Sequence, residues 1–157
     1  MSSPWSLRIL AKSPLTVIAG ITGDVWVNPD EGEAVYVGPG DIAITRAPAL
    51  YNVSESPAAL PDIFIHPGQD CRNAEGESLL QELMHDTRTW GTDPNGSTIF
   101  IVGAYEQLSD ISDRLLKALP LVLSLSHDEW ESPLVPLLCE EVIKDEPGQA
   151  AVLDRMI

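Results

Sequence analysis

Apolar positions fall in short, punctuated runs over the first two-thirds of the chain and recur at helical spacing after that. Leu15–Ile21 is rich in β-branched residues, and Gly23–Val27 continues with apolar residues at alternate positions. Asn28-Pro29-Asp30-Glu31-Gly32 then combines residues that favour turns. Ala34–Val37 is a further short apolar run, closed by Gly38-Pro39-Gly40-Asp41, after which Ile42–Thr45 alternates again and Ile63–Ile65 follows a Pro-bounded loop. Each run is too short for an ordinary helix, so the pattern predicts short strands in a sandwich or small barrel. In the middle, Glu77–Met84 reads as a short helix with Leu79, Leu80 and Leu83 on one face. His85–Trp90 reads as a strand that returns through Asp93-Pro94-Asn95-Gly96 into Ser97–Tyr105, because Asn-Gly between alternating segments is a hairpin signal.

From Ser109 the period becomes helical. Ser109 or Asp110 caps a first helix carrying Ile111, Leu115 and Leu119, ended by Pro120. A second starts near Ser132-Pro133 and presents Leu134, Leu138 and Val142, Pro being tolerated in a first turn. A third starts near Pro147 with Ala150, Leu153 and Ile157 and runs to the last residue without a stop signal. That missing stop predicts a chain that continues beyond Ile157. The pattern as a whole predicts a mainly β fold with C-terminal α structure: a β-barrel over 1–106 and a helical segment over 107–157, in one compact unit.

Composition narrows the possible roles. The 157 residues hold 24 Asp+Glu against 9 Lys+Arg, a formal net charge of -15, while 44% are apolar. That apolar share is enough for a core, so the acidity does not signal disorder. Binding to nucleic acid rests on Lys and Arg against phosphate, and no basic run is present to supply it. No stretch has the length of a membrane span, and the N-terminus lacks the charged-then-apolar pattern of a secretory signal. Two cysteines, Cys71 and Cys139, in dissimilar contexts fit a reducing cytoplasm.

Candidate chemistry is sparse. His66, His85 and His127 lie far apart in sequence and form no metal-ligand spacing, which predicts surface or loop histidines and no bound metal. Cys71, in the polar run Gln69-Asp70-Cys71-Arg72, has no histidine base placed by the sequence and reads as an inert surface thiol. No serine sits in a Gly-x-Ser-x-Gly elbow, and no glycine-rich loop leads into a helix, so no catalytic residue and no cofactor are expected. What remains is a set of aromatic and polar residues on or beside strands: Trp26, Tyr36, Arg46, Tyr51 and Tyr105. They are the candidate ligand-binding residues. Arg46 is the unusual one, a lone cation ending an apolar strand and suited to an anion or a salt bridge.

The stretch Gly38-Pro39-Gly40-Asp41-Ile42-Ala43-Ile44-Thr45-Arg46 resembles the second conserved segment of cupins, where Gly-Asp leads an apolar strand. The order of segments resembles the N-terminal cupin domain of AraC-type bacterial transcription regulators. Pro4-Trp5-Ser6-Leu7-Arg8 is similar to that subfamily's opening, and Thr45 stands where Pro is usual before Arg46. Thr98–Tyr105 matches its strand ending Gly-x-Tyr, and Leu115–Pro120 its Ala-Leu-Pro helix end. Glu140 or Glu141 with Pro147–Arg155 matches the last segment. The resemblance implies a cupin-like barrel (a double-stranded β-helix or jelly roll) followed by about three helices. It also implies an effector-binding, self-associating module in the bacterial cytoplasm. Dimerisation would use Ile111, Leu115 and Leu119 or Leu134, Leu138 and Val142, and DNA would be reached only through a separate C-terminal domain. Metal-binding cupins carry a His-x-His pair in the first motif, whereas Gly23-Asp24-Val25-Trp26-Val27 has no histidine and Tyr51 stands near the second-motif position. The alternative is a small metal-independent cupin enzyme, such as a sugar epimerase or isomerase, needing a His–carboxylate pair aimed into the barrel.

Overall fold

The computed structural model describes residues 1–86, 88–105 and 116–129, together with residues 137 and 140. Among the described residues the named elements follow in chain order: β1 (Ser6–Ile9), β2 (Leu15–Thr22), β3 (Val25–Pro29), β4 (Val35–Val37), β5 (Ile42–Arg46), β6 (Tyr51–Ser54), β7 (Ile63–His66), β8 (Asp70–Arg72), the helical turn α1 (Leu80–Leu83), β9 (Met84–Asp86), β10 (Thr89–Trp90), β11 (Ile99–Tyr105) and β12 (Val122–Leu125). They form a six-stranded sheet in the order β4-β3-β6-β1-β7-β8, a four-stranded sheet in the order β11-β2-β5-β12, and a two-stranded ribbon β10-β9. Among the described residues no helix is long and apolar enough to cross a membrane.

The alternation read from the sequence sets which side each strand buries. Val25 and Val27 are buried while Trp26 between them is not, and Ile63 and Ile65 are buried around the half-exposed Phe64. Leu7, Val25, Val27, Val37, Val53, Ile63 and Ile65 of the large sheet join Ile18 and Ala43 of the small one in a single core cluster. Two contacts span the sheets at opposite ends. At one, Trp5 stacks on Phe100 of β11 with ring centroids 5.5 Å apart. At the other, the buried Tyr51 hydroxyl shares hydrogen bonds with the side chains of Thr16 and Thr45, which face each other across β2 and β5.

The turn before β5 explains its Gly-Pro-Gly-Asp sequence. Asp41 Oδ2 accepts from the Gly38 backbone N–H at 2.9 Å and Oδ1 from the His127 N–H at 2.6 Å. Gly20 donates its N–H to the Asp41 carbonyl at 3.0 Å and accepts from Gly40 N–H at 2.9 Å, so the turn lies flat against β2. A Cβ on Gly20 would run into the Gly38 carbonyl oxygen, and Gly40 has φ +86 with the His127 ring against it.

Four expectations change. The hairpin joining His85–Trp90 to Ser97–Tyr105 is absent: β11 pairs along its length with β2, from Ile99 opposite Thr22 to Tyr105 opposite Leu15. Met84–Asp86 and Thr89–Trp90 pair with each other instead. The loop between is tied to the chain start, through Ser2 N–H to Thr92 Oγ1 at 2.9 Å, Ser2 Oγ to Asp93 Oδ2 at 2.9 Å and Thr98 N–H to the Met1 carbonyl at 3.1 Å. The helix expected over Glu77–Met84 is a single turn, Leu80–Leu83. Cys71, read as a surface thiol, is buried in β8, and burial beside Asp70 pushes its pKa up. The three C-terminal helices fall largely outside the described residues. Residues 116–118, 137 and 140 are helical there, which does not support a count of three.

Candidate functional site

The five aromatic and polar candidates do not converge. Trp26 and Tyr36 meet near the end of the barrel where β3 begins, with ring centroids 5.3 Å apart and an interplanar angle of 57°. They sit on the outer side of the large sheet, since Val25, Val27 and Val37 point into the core. Tyr36 is 44% exposed and its hydroxyl donates to Asp24 Oδ1 at 2.7 Å, a bond that raises its pKa. Arg46, Tyr51 and Tyr105 lie at the opposite end. Arg46 and Tyr105 flank Leu15 in register from the two sides of β2. Arg46 donates from Nε to the Leu119 carbonyl at 2.7 Å and from Nη1 to the Ala47 carbonyl at 3.1 Å, so its fork holds loop backbone. Tyr105 is 39% exposed. Of the five, only Tyr51 lies in the core, and there it ties the two sheets together. Leu119 is half-buried, while Ile111, Leu115, Leu134, Leu138 and Val142 lie outside the described residues.

A cleft opens at the end of the barrel where Trp5 stacks on Phe100. Its volume is about 440 Å³, within the range of small-molecule sites. One wall is the segment leading into β1, Pro4 to Ser6; the other is the loop 55–62 between β6 and β7. The loop is built from local turns and pinned to β1. Ser54 Oγ donates to the Ser56 carbonyl at 2.7 Å, and Ala59 N–H to the same carbonyl at 3.1 Å. Ser6 N–H donates to Asp62 Oδ1 at 2.9 Å, and Asp62 N–H returns to the Ser6 carbonyl at 3.1 Å. Trp26 is also near, paired in register with Ser54 at the start of this loop.

Two features give the cleft a chemical character. Trp5 is 1% exposed, and its Nε1–H is a buried donor with no acceptor among the described residues. A buried polar group is ordinarily hydrogen-bonded, and leaving one without a partner costs about 1–3 kcal/mol. The charged lining residues are both acids, Glu55 and Asp62, and the rest of the lining is apolar or hydroxyl-bearing, with Leu60 86% exposed at the rim. In the sequence Trp5 stands out only as part of an opening motif, and Glu55 and Asp62 belong to none. An acid directly after a Pro-bounded loop between two strands was the available signal.

Metal chemistry does not fit this donor set. Among the described residues no three His, Cys, Asp or Glu side chains stand close enough to hold an ion. His66 ends β7, His127 lies against Gly40, and His85 Nε2 is 3.0 Å from the Gly91 carbonyl oxygen, three separate places.

No curated protein matches this sequence. The two-sheet barrel, with a Gly-Asp turn leading β5, agrees with the cupin family model, which matches residues 1–157, and the chain belongs to the cupin family.

Proposed function

We propose that the chain carries the ligand-sensing and dimerising domain of an AraC-type bacterial transcription regulator, and that it is not an enzyme. The observation that carries this reading is where polar chemistry lies relative to the core. The polar residues buried among those described are Ser6, Thr16, Thr45, Ser54 and Thr98, all uncharged hydroxyl bearers. The acid–base pair that a metal-free epimerase needs inside the barrel is not among them. The cleft beside Trp5, by contrast, leaves a space of about 440 Å³ between β1 and the 55–62 loop. The order of sequence segments from Pro4-Trp5 to Leu153-Asp154-Arg155 supports the same assignment.

The mechanism is a coupling between barrel and helices. An unidentified small effector binds the barrel and favours one association state of the helical segment, because a ligand with equal affinity for both states transmits nothing. The faces of Ile111, Leu115 and Leu119 or of Leu134, Leu138 and Val142 supply the homodimer contact. In the complete regulator DNA is bound by a further domain, in the cytoplasm. Sedimentation equilibrium of the purified chain, alone and with a metabolite panel, tests the reading. The expected result is a dimer whose association constant shifts at least tenfold with one compound. A strict monomer whose melting no compound shifts would overturn it.

A further inference from the structure

We propose that the cleft between Pro4–Ser6 and the 55–62 loop is a binding site for a small organic cation that also carries a hydrogen-bond acceptor, of the amino-alcohol type. This names the effector class of the sensor reading above and rests on that reading for its regulatory meaning.

Three observations converge on that chemistry. Trp5 forms part of the cleft wall, and its indole N–H, buried and without an acceptor among the described residues, calls for a hydroxyl or carbonyl oxygen. Glu55 and Asp62 face the same space with no Lys, Arg or His in the lining. Glu55 has no side-chain partner among the described residues, and Asp62 uses only Oδ1, toward Ser6. Two carboxylates without a counter-ion in one cleft favour a cation and repel an anion. The chain's net charge of -15 raises the local concentration of cations further. Pro4, Ala58, Ala59 and Leu60 supply the apolar surface for a short carbon skeleton between the two ends.

The indole nitrogen is buried, so an acceptor reaches it only with a shift of the cleft wall, one side of which is the 55–62 loop. The loop joins β6 to β7, on either side of β1 in the large sheet. Occupancy is thereby tied to the position of a loop anchored on both neighbours of β1, which is a route from cleft to barrel.

The test uses the ¹⁵N-labelled chain and three compounds of one skeleton: 4-amino-1-butanol, 1,4-butanediol and 4-hydroxybutyrate. The Trp5 indole signal is assigned with Trp5→Phe or, should that variant not fold, by its loss of ring-current shift in Phe100→Leu. The amino alcohol should move this signal and bind at least tenfold more tightly than the diol, with 4-hydroxybutyrate inert. Glu55→Gln should remove most of the amine's advantage over the diol while leaving the fold intact. Equal binding of all three compounds, an unmoved Trp5 signal, or an undiminished preference in Glu55→Gln would each overturn the assignment. A different panel compound that shifts melting and association without touching Trp5 sinks the cleft and leaves the sensor reading standing. Amine binding at Trp5 with no change in association does the reverse.

Discussion

At the scale of single residues, Tyr51 shows how one side chain serves two sheets. Its hydroxyl is desolvated inside the core, which raises its pKa, and the bonds with Thr45 and Thr16 only partly offset that. A folded-state pKa above the unfolded value gives stability that is complete below the ordinary tyrosine range, about pH 10. That stability is lost as the pH rises through the folded value. Unfolding measured by denaturant should therefore become easier above about pH 10, and Tyr51→Phe should flatten that decline. The same variant should lose about 1 kcal/mol at neutral pH, because two buried threonine hydroxyls give up a partner. A variant with an unchanged alkaline decline would assign the effect to another group. Phe100 offers a second reading at this scale. Phe100→Leu keeps apolar bulk and removes the stack on Trp5, so it should cost about 1 kcal/mol in the denaturation midpoint.

At the scale of elements, the contact of Gly20 with the Gly38–Asp41 turn is the tightest constraint on substitution. Gly20→Ala forces a methyl into the Gly38 carbonyl, which is backbone and cannot swing away. The turn must lift from β2, and the cost should be about 2 kcal/mol or more by chemical denaturation. A neutral result would mean that the turn is not held where Asp41 and His127 place it. The strands the sequence made legible were those with β-branched alternation: β2, β5 and β7 were predicted to within a residue at each end. Those it concealed have too few apolar residues to signal themselves. Tyr51-Asn52-Val53-Ser54 is a strand because β1 and β3 bond it from both sides, and Asp70-Cys71-Arg72 because it folds back on β7. The failed hairpin has the same cause in reverse, since Asn95-Gly96 is a local cue and the edge of β2 is a stronger, non-local partner for Ile99–Tyr105. The candidate site was legible to the same degree. Aromatic residues could be placed on strands, but the side and the end of the barrel each would occupy depended on pairings between distant segments.

At the scale of the whole molecule, a net charge of -15 on 157 residues is a self-repulsion that the fold must overcome. Arg8 offsets a little of it, gripping Asp30 with both Nη atoms at 2.6 Å and holding that carboxyl below its usual range, yet the pair is partly exposed and weak. Screening should help where pairing does not. The melting temperature should rise by several degrees between low and moderate salt, read by calorimetry, before any specific ion effect sets in. A melting temperature that falls with salt would mean that attractive pairs outweigh the repulsion.

The position of β1 in the large sheet has its own consequence for how the molecule is made. The first strand lies between β6, antiparallel to it, and β7, parallel to it, so both its neighbours come from residues 51–66. During synthesis Leu7 and Ile9 must wait, unpaired, until more than forty further residues have left the ribosome. Such distant pairing is slow to form. The newborn chain therefore carries an open apolar strand, exposed to chaperones and to other copies, until the middle of the sequence arrives to enclose it.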